Sequence, residues 1–96
     1  MKQSIMYVDA LFFLEDGRTI FCGDIENHRH YVLESIWILK KNGEEVQEVH
    51  IQIENIPVGI LITPNRKRSL ETLDTIDKDF FDPKKYSIVL IKKGDV

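Results

Sequence analysis

Cysteine is nearly absent. Cys22 is the only one in 96 residues, so no internal disulfide can form, and the chain reads as one kept in a reducing compartment. With Phe21 and Gly23 beside it, Cys22 is expected to be a small buried strand residue, because a reactive thiol needs a basic, exposed setting. Glycine and proline are sparse at five and three, which excludes collagen-like and low-complexity chains. No apolar run reaches the length of a membrane span. The run from Ile5 to Leu14 follows Lys2, as the core of a signal peptide would. Asp9 interrupts it, however, and Glu15-Asp16-Gly17 follows where small cleavage-site residues should stand. The expectation is a cytoplasmic protein without membrane contact. Positive charge is also in deficit: 13 Lys and Arg against 16 Asp and Glu leave a net charge of −3. A dedicated nucleic-acid binder shows the opposite balance, since phosphate contacts need a surplus of cations.

What is present describes an ordinary globular domain. The content is 43% hydrophobic and 30% charged, and the length suits a single domain over 1–96 with a core that needs no metal or disulfide. Ser4 to Leu14 is rich in β-branched and aromatic residues and apolar on both faces, as a well-buried strand is. Asp16-Gly17 is a hairpin signal, and Arg18 to Ile25 follows as a second strand. Glu26 to His30 is a polar loop. Tyr31 to Lys40 gives a third strand, with Trp37 and Leu39 on one face and Ile36 and Ile38 on the other.

Asn42-Gly43 is the strongest turn signal in the chain, because both residues tolerate positive φ. Alternation follows it, with Val49, Ile51 and Ile53 pointing one way and Glu48, His50, Gln52 and Glu54 the other, as in a half-solvated antiparallel strand. Pro57 breaks the chain before another apolar run, Val58 to Thr63, and Pro64 to Arg68 is a polar loop. From Ser69 the period changes. Ser69 can cap a helix, Glu71 falls in its first turn, and Leu73, Ile76 and Phe80 recur at helical spacing on one core-facing side. Asp82-Pro83 ends that segment, and Tyr86 to Ile91 is a last strand. The fold class expected is mainly β: a small antiparallel barrel or strongly curved sheet of about six strands, with one short helix before the last strand.

The residues show no catalytic kit. Cys22 and the few Ser and Thr sit in no nucleophile elbow, and no Gly-rich loop precedes Lys-Ser or Lys-Thr to cradle a phosphate. His28 and His30 could join Asp24, Glu26 or His50 around a metal, but no spacing motif supports them. The expectation is no enzyme, no metal and no cofactor. Charge is clustered instead. Glu44, Glu45, Glu48 and Glu54 crowd one hairpin, while Glu71, Asp74, Asp77, Asp79 and Asp82 crowd the segment read as a helix. Arg66-Lys67-Arg68 is a basic triplet in a loop.

Two stretches resemble the second, β-barrel domain of translational GTPases such as elongation factor Tu. Gly17-Arg18-Thr19-Ile20-Phe21-Cys22-Gly23-Asp24-Ile25-Glu26 is similar to that family's glycine-threonine-valine strand, which ends in a glycine and a glutamate. Val58-Gly59-Ile60-Leu61-Ile62 is similar to its valine-glycine-valine-leucine-leucine strand. The family's lysine-x-glycine-aspartate turn between the two is missing, and these 96 residues hold no GTP-binding domain. The resemblance therefore implies a barrel and a ribosome- or RNA-facing surface, not GTPase activity.

Two functions compete. One is an acidic protein-binding module, of inhibitor or immunity type, that covers a basic toxin or enzyme through Glu44, Glu45, Glu48, Glu54, Glu71, Asp74 and Asp77. The other is a stand-alone translation-factor-like barrel that contacts RNA through Arg66, Lys67 and Arg68. The negative charge and the absence of catalytic motifs favour the first.

Overall fold

The described residues form six strands: β1 (Ile5–Phe13), β2 (Thr19–Glu26), β3 (Ser35–Lys41), β4 (Glu44–Asn55), β5 (Arg68–Thr72) and β6 (Ile88–Lys92). The structure is a computed structural model and describes residues 3–55 and 67–94. The strands close into a barrel in the order β1-β2-β5-β4-β3-β6, with every pair antiparallel. Closure removes the free edges at which an open sheet can pair with other chains. Among the described residues no helix is long and apolar enough to cross a membrane.

Alternation fills the interior. Met6 and Val8 of β1, Phe21 of β2, Trp37 and Leu39 of β3, Val49 and Ile51 of β4, Leu70 of β5, and Ile88 and Leu90 of β6 are all buried. Trp37 keeps its indole N–H satisfied by donating to the Ser35 hydroxyl at 2.9 Å, as a buried indole requires. Asn42 (φ 51°) and Gly43 (φ 86°) make the tight β3–β4 turn with the positive angles the sequence suggests. Gly23 of β2 sits where a Cβ would overlap the Tyr7 carbonyl oxygen of β1.

Hairpins join β1 to β2 and β3 to β4, and two other connections cross the barrel from one side to the other. The residues between β2 and β3 pass over one mouth, here called the lower, and bury Val32 in it. The residues between β5 and β6 pass over the upper mouth and bury Ile76 and Phe81. The core thus includes two plugs supplied by irregular chain.

The structure corrects three expectations. No helix follows Ser69; Arg68 to Thr72 is strand β5, and a chain of turns covers 73–87. The cause is aspartate. The Asp77 carboxylate accepts from the amides of Asp79 and Phe80, each at 3.0 Å, and Asp82 accepts from the Lys84 amide at 2.9 Å. Such side-chain bonds compete with the helical backbone pattern. As a result Leu73 and Phe80 are exposed, while Ile76 and Phe81 are buried. The alternation expected along β4 also breaks, because a register shift between Ile51 and Ile53 turns Ile53 outward and Glu54 inward. Cys22 is half-buried on the outer wall, its thiol 3.3 Å from the Ser69 hydroxyl, rather than fully inside. The strand expected over Val58 to Thr63 lies outside the described residues.

Candidate functional site

The upper mouth brings together residues that are far apart in sequence. The β3–β4 hairpin and the 73–87 connection are tied by reciprocal bonds between Asn42 and Ser87. The Asn42 amide donates to the Ser87 carbonyl at 2.8 Å, and the Ser87 amide donates to the Asn42 side-chain oxygen at 3.0 Å. Lys41 completes the junction, with its ammonium 3.6 Å from the centre of the Phe80 ring and 3.9 Å from that of Tyr86. Cation–π contacts of this kind hold a cation over an aromatic face. Phe80 is also edge-on to the buried Phe81, with ring centres 4.9 Å apart.

This junction sets Phe80 beside Val46, the two being 45% and 44% exposed. Both line a groove of about 210 Å³ with Glu44, Lys41 and Asn42. Glu45 is the exposed neighbour of Glu44, and Asp77 and Asp79 flank Phe80 on the connection, also exposed. One end of each acidic cluster therefore reaches the same mouth; of these carboxylates Glu44 lines the groove of Phe80 and Val46, while Glu45 borders the groove beside Ile38 and Ile91, and Asp79 the one along Phe12 and Phe13. Lys78 and Lys84 of the same connection border a separate groove of about 420 Å³ along Phe12 and Phe13.

The other expected contact residues are distributed elsewhere. Glu48 pairs with Lys93 on the outer wall. Glu71 accepts from Arg18 at 3.0 Å, also on the outer wall. Asp74 accepts from the His50 amide at 2.7 Å. Glu54 is buried at the opposite end of the barrel, where Arg68 reaches both of its oxygens, at 2.6 and 2.9 Å. Burial pushes the Glu54 carboxyl up. The bonds from Arg68 and the Val32 amide, with the charges of Arg68 and His28, outweigh that and hold it below the ordinary glutamate value.

The basic triplet is likewise divided. Arg68 is taken up by Glu54 and by the carbonyls of His28 and His30. Lys67 bridges Asp9 at 2.9 Å and Asp24 at 2.8 Å. Arg66 lies outside the described residues. The histidines do not converge: His28 Nδ1 is 3.2 Å from the Ser4 hydroxyl, and His50 Nε2 pairs with Glu34 at 2.7 Å. Among the described residues no group of three or more His, Cys, Asp or Glu could hold a metal ion.

Comparison with protein-family models, with curated proteins and with solved structures finds no match. The geometry alone therefore guides the functional reading. Sequence reasoning missed Val46 and Phe80, because helical spacing had placed Phe80 in the core. The doublet Phe80-Phe81 carried the available signal: in an extended or turning chain, neighbouring side chains point in different directions, so one ring is left outside.

Proposed function

We propose that the protein is a non-catalytic, cytoplasmic protein-binding module whose partner is basic, in the manner of an inhibitor or immunity protein that covers a toxin or enzyme. The observation that carries this reading is the meeting of two acidic segments around Phe80 and Val46. An aromatic anchor with Glu44 in its groove and further carboxylates on the flanking segments has the two parts a tight interface uses. The ring fills a recess and supplies the burial energy, while the charges steer a positive partner and speed its approach. Phe80 is held from behind by Phe81 and Lys41, so little side-chain freedom remains to be lost on binding. The placement of Arg68 argues against an RNA-facing surface built on the basic triplet, since Arg68 is taken up by Glu54 and by the carbonyls of His28 and His30.

The test is affinity capture from cell lysate, followed by association kinetics of the recovered partner at low and high salt. Association should be fast at low salt and slow as salt screens the attraction. Glu44→Lys with Asp77→Lys should slow it, and Lys67→Glu should not. A partner whose capture survives both acidic reversals and is lost with Lys67→Glu would refute the reading.

A further inference from the structure

A closed barrel with a filled interior leaves its outward positions to water, and these are ordinarily polar. The wall formed by β1, β6 and β3 departs from that rule. Ile5 of β1 and Ile38 of β3 both lie opposite Ile91 of β6, so three outward isoleucines form one row across three adjacent strands. In the next row Tyr7 lies opposite Val89, and Val89 lies opposite Lys40. A groove of about 520 Å³ runs along this wall, with Ile38 and Ile91 among its lining residues. Its charged lining is Lys40, Lys92 and Lys93 with Glu45, and Glu48, the β4 partner of Ile38, stands beside it. On a chain of net charge −3 this is a local reversal of sign.

We propose that this wall is a second docking surface, which takes an acidic amphipathic segment of a partner protein. The isoleucine row supplies the apolar floor, and Lys40 and Lys93 supply charge complementary to carboxylates on the incoming segment. Lys93 is shared with Glu48, but both side chains are more than half exposed, and an exposed pair of that kind is held only weakly against exchange of partners. The same cations could meet nucleic acid. Single strands, however, bind by stacking bases on aromatic rings, and the floor here is aliphatic, with Tyr7 alone at its margin. A peptide suits it better. This surface is separate from the upper mouth, since neither Phe80 nor Glu44 borders it.

The experiment uses the whole protein with isoleucine methyl labelling and three probes: a synthetic peptide alternating Glu and Leu, the same peptide with Lys for Glu, and a single-stranded oligonucleotide. The Glu peptide should shift the methyl signals of Ile38 and Ile91. Lys40→Glu alone should weaken it measurably, and Lys40→Glu with Lys93→Glu by at least about tenfold, or 1.4 kcal/mol. Phe80→Ala should leave this binding unchanged even if the upper mouth binds nothing, so the two readings can fail separately. Thermal unfolding of each variant checks that it remains folded. Equal binding of the Lys peptide at the same methyls would overturn the proposal, as would tighter binding of the oligonucleotide there. Absence of shifts at Ile38 and Ile91 with the Glu peptide would also overturn it.

Discussion

Arg68 of β5 faces Glu54 of the neighbouring β4 at the lower mouth of the barrel, its Nε and Nη2 donating to the two carboxylate oxygens at 2.9 and 2.6 Å. The pair does more than neutralise itself. Arg68 also donates to the carbonyls of His28 and His30, and the second Glu54 donor is the Val32 amide at 2.9 Å. One ion pair therefore fastens the whole β2–β3 crossing onto the strands beneath it. Arg68→Met leaves a buried carboxylate without its partner and should cost about 3–5 kcal/mol, read as a lower midpoint in urea unfolding.

The same pair sets a pH dependence. Because the Glu54 carboxyl titrates below its ordinary value in the fold, its contribution is complete above the unfolded glutamate pKa. That contribution is lost as pH falls through the lowered folded value. The stability gap between the wild type and Glu54→Gln should therefore narrow on acidification from neutral pH. A gap that widens in acid would mean that the carboxyl is raised, not lowered.

Phe81 and Phe80 should separate cleanly. Phe81 is 2% exposed in the upper plug, and Phe81→Ala should cost about 3–5 kcal/mol as a large core truncation. Phe80→Ala loses an edge-to-face contact, about 0.5–1.5 kcal/mol, and the exposed contact with the Lys41 ammonium, about 0.5–1 kcal/mol. Equal losses in denaturant unfolding would contradict the placement of the two rings. In binding the order should reverse, with Phe80→Ala the variant that releases the partner.

Gly23 has no room for a side chain. Gly23→Ala drives a methyl into the Tyr7 carbonyl oxygen, a backbone atom that cannot swing aside, and the strands must part. A loss of about 1–3 kcal/mol is expected, as for overpacked cores, together with faster amide exchange on both sides of the β1–β2 ladder.

The regular parts of this fold were legible in the sequence, and the exceptions were not. Asp16-Gly17 and Asn42-Gly43 mark true turns, and Trp37 and Leu39 face inward as their alternation requires. Turn chemistry and period are local properties, so local reading finds them. Glu54 was misplaced because a bulge changes strand parity without leaving a residue signature. The segment after Ser69 was misread because Leu73, Ile76 and Phe80 do recur at helical spacing. Asp77 and Asp82 overrule that spacing by bonding to nearby amides. The upper site depended on the second error, since Phe80 becomes visible as an anchor only once the helix is gone. Its union with Glu44 is a long-range fact, fixed by which strands the 73–87 crossing joins.

The place of β6 between β1 and β3 has a consequence for how the molecule is made. The last strand of the sheet is the stave that closes the ring, and it touches the first. During synthesis the earlier strands must wait, with β1 and β3 each presenting an unsatisfied backbone edge, until Ile88 to Lys92 has emerged. Contacts so distant along the chain are reached slowly, and open edges invite pairing with other chains in the interval. A product that stops short of Ile88 would lose more than five residues' worth of stability. It would remain an open sheet with two adhesive borders, so premature termination should yield aggregate rather than a weakened barrel.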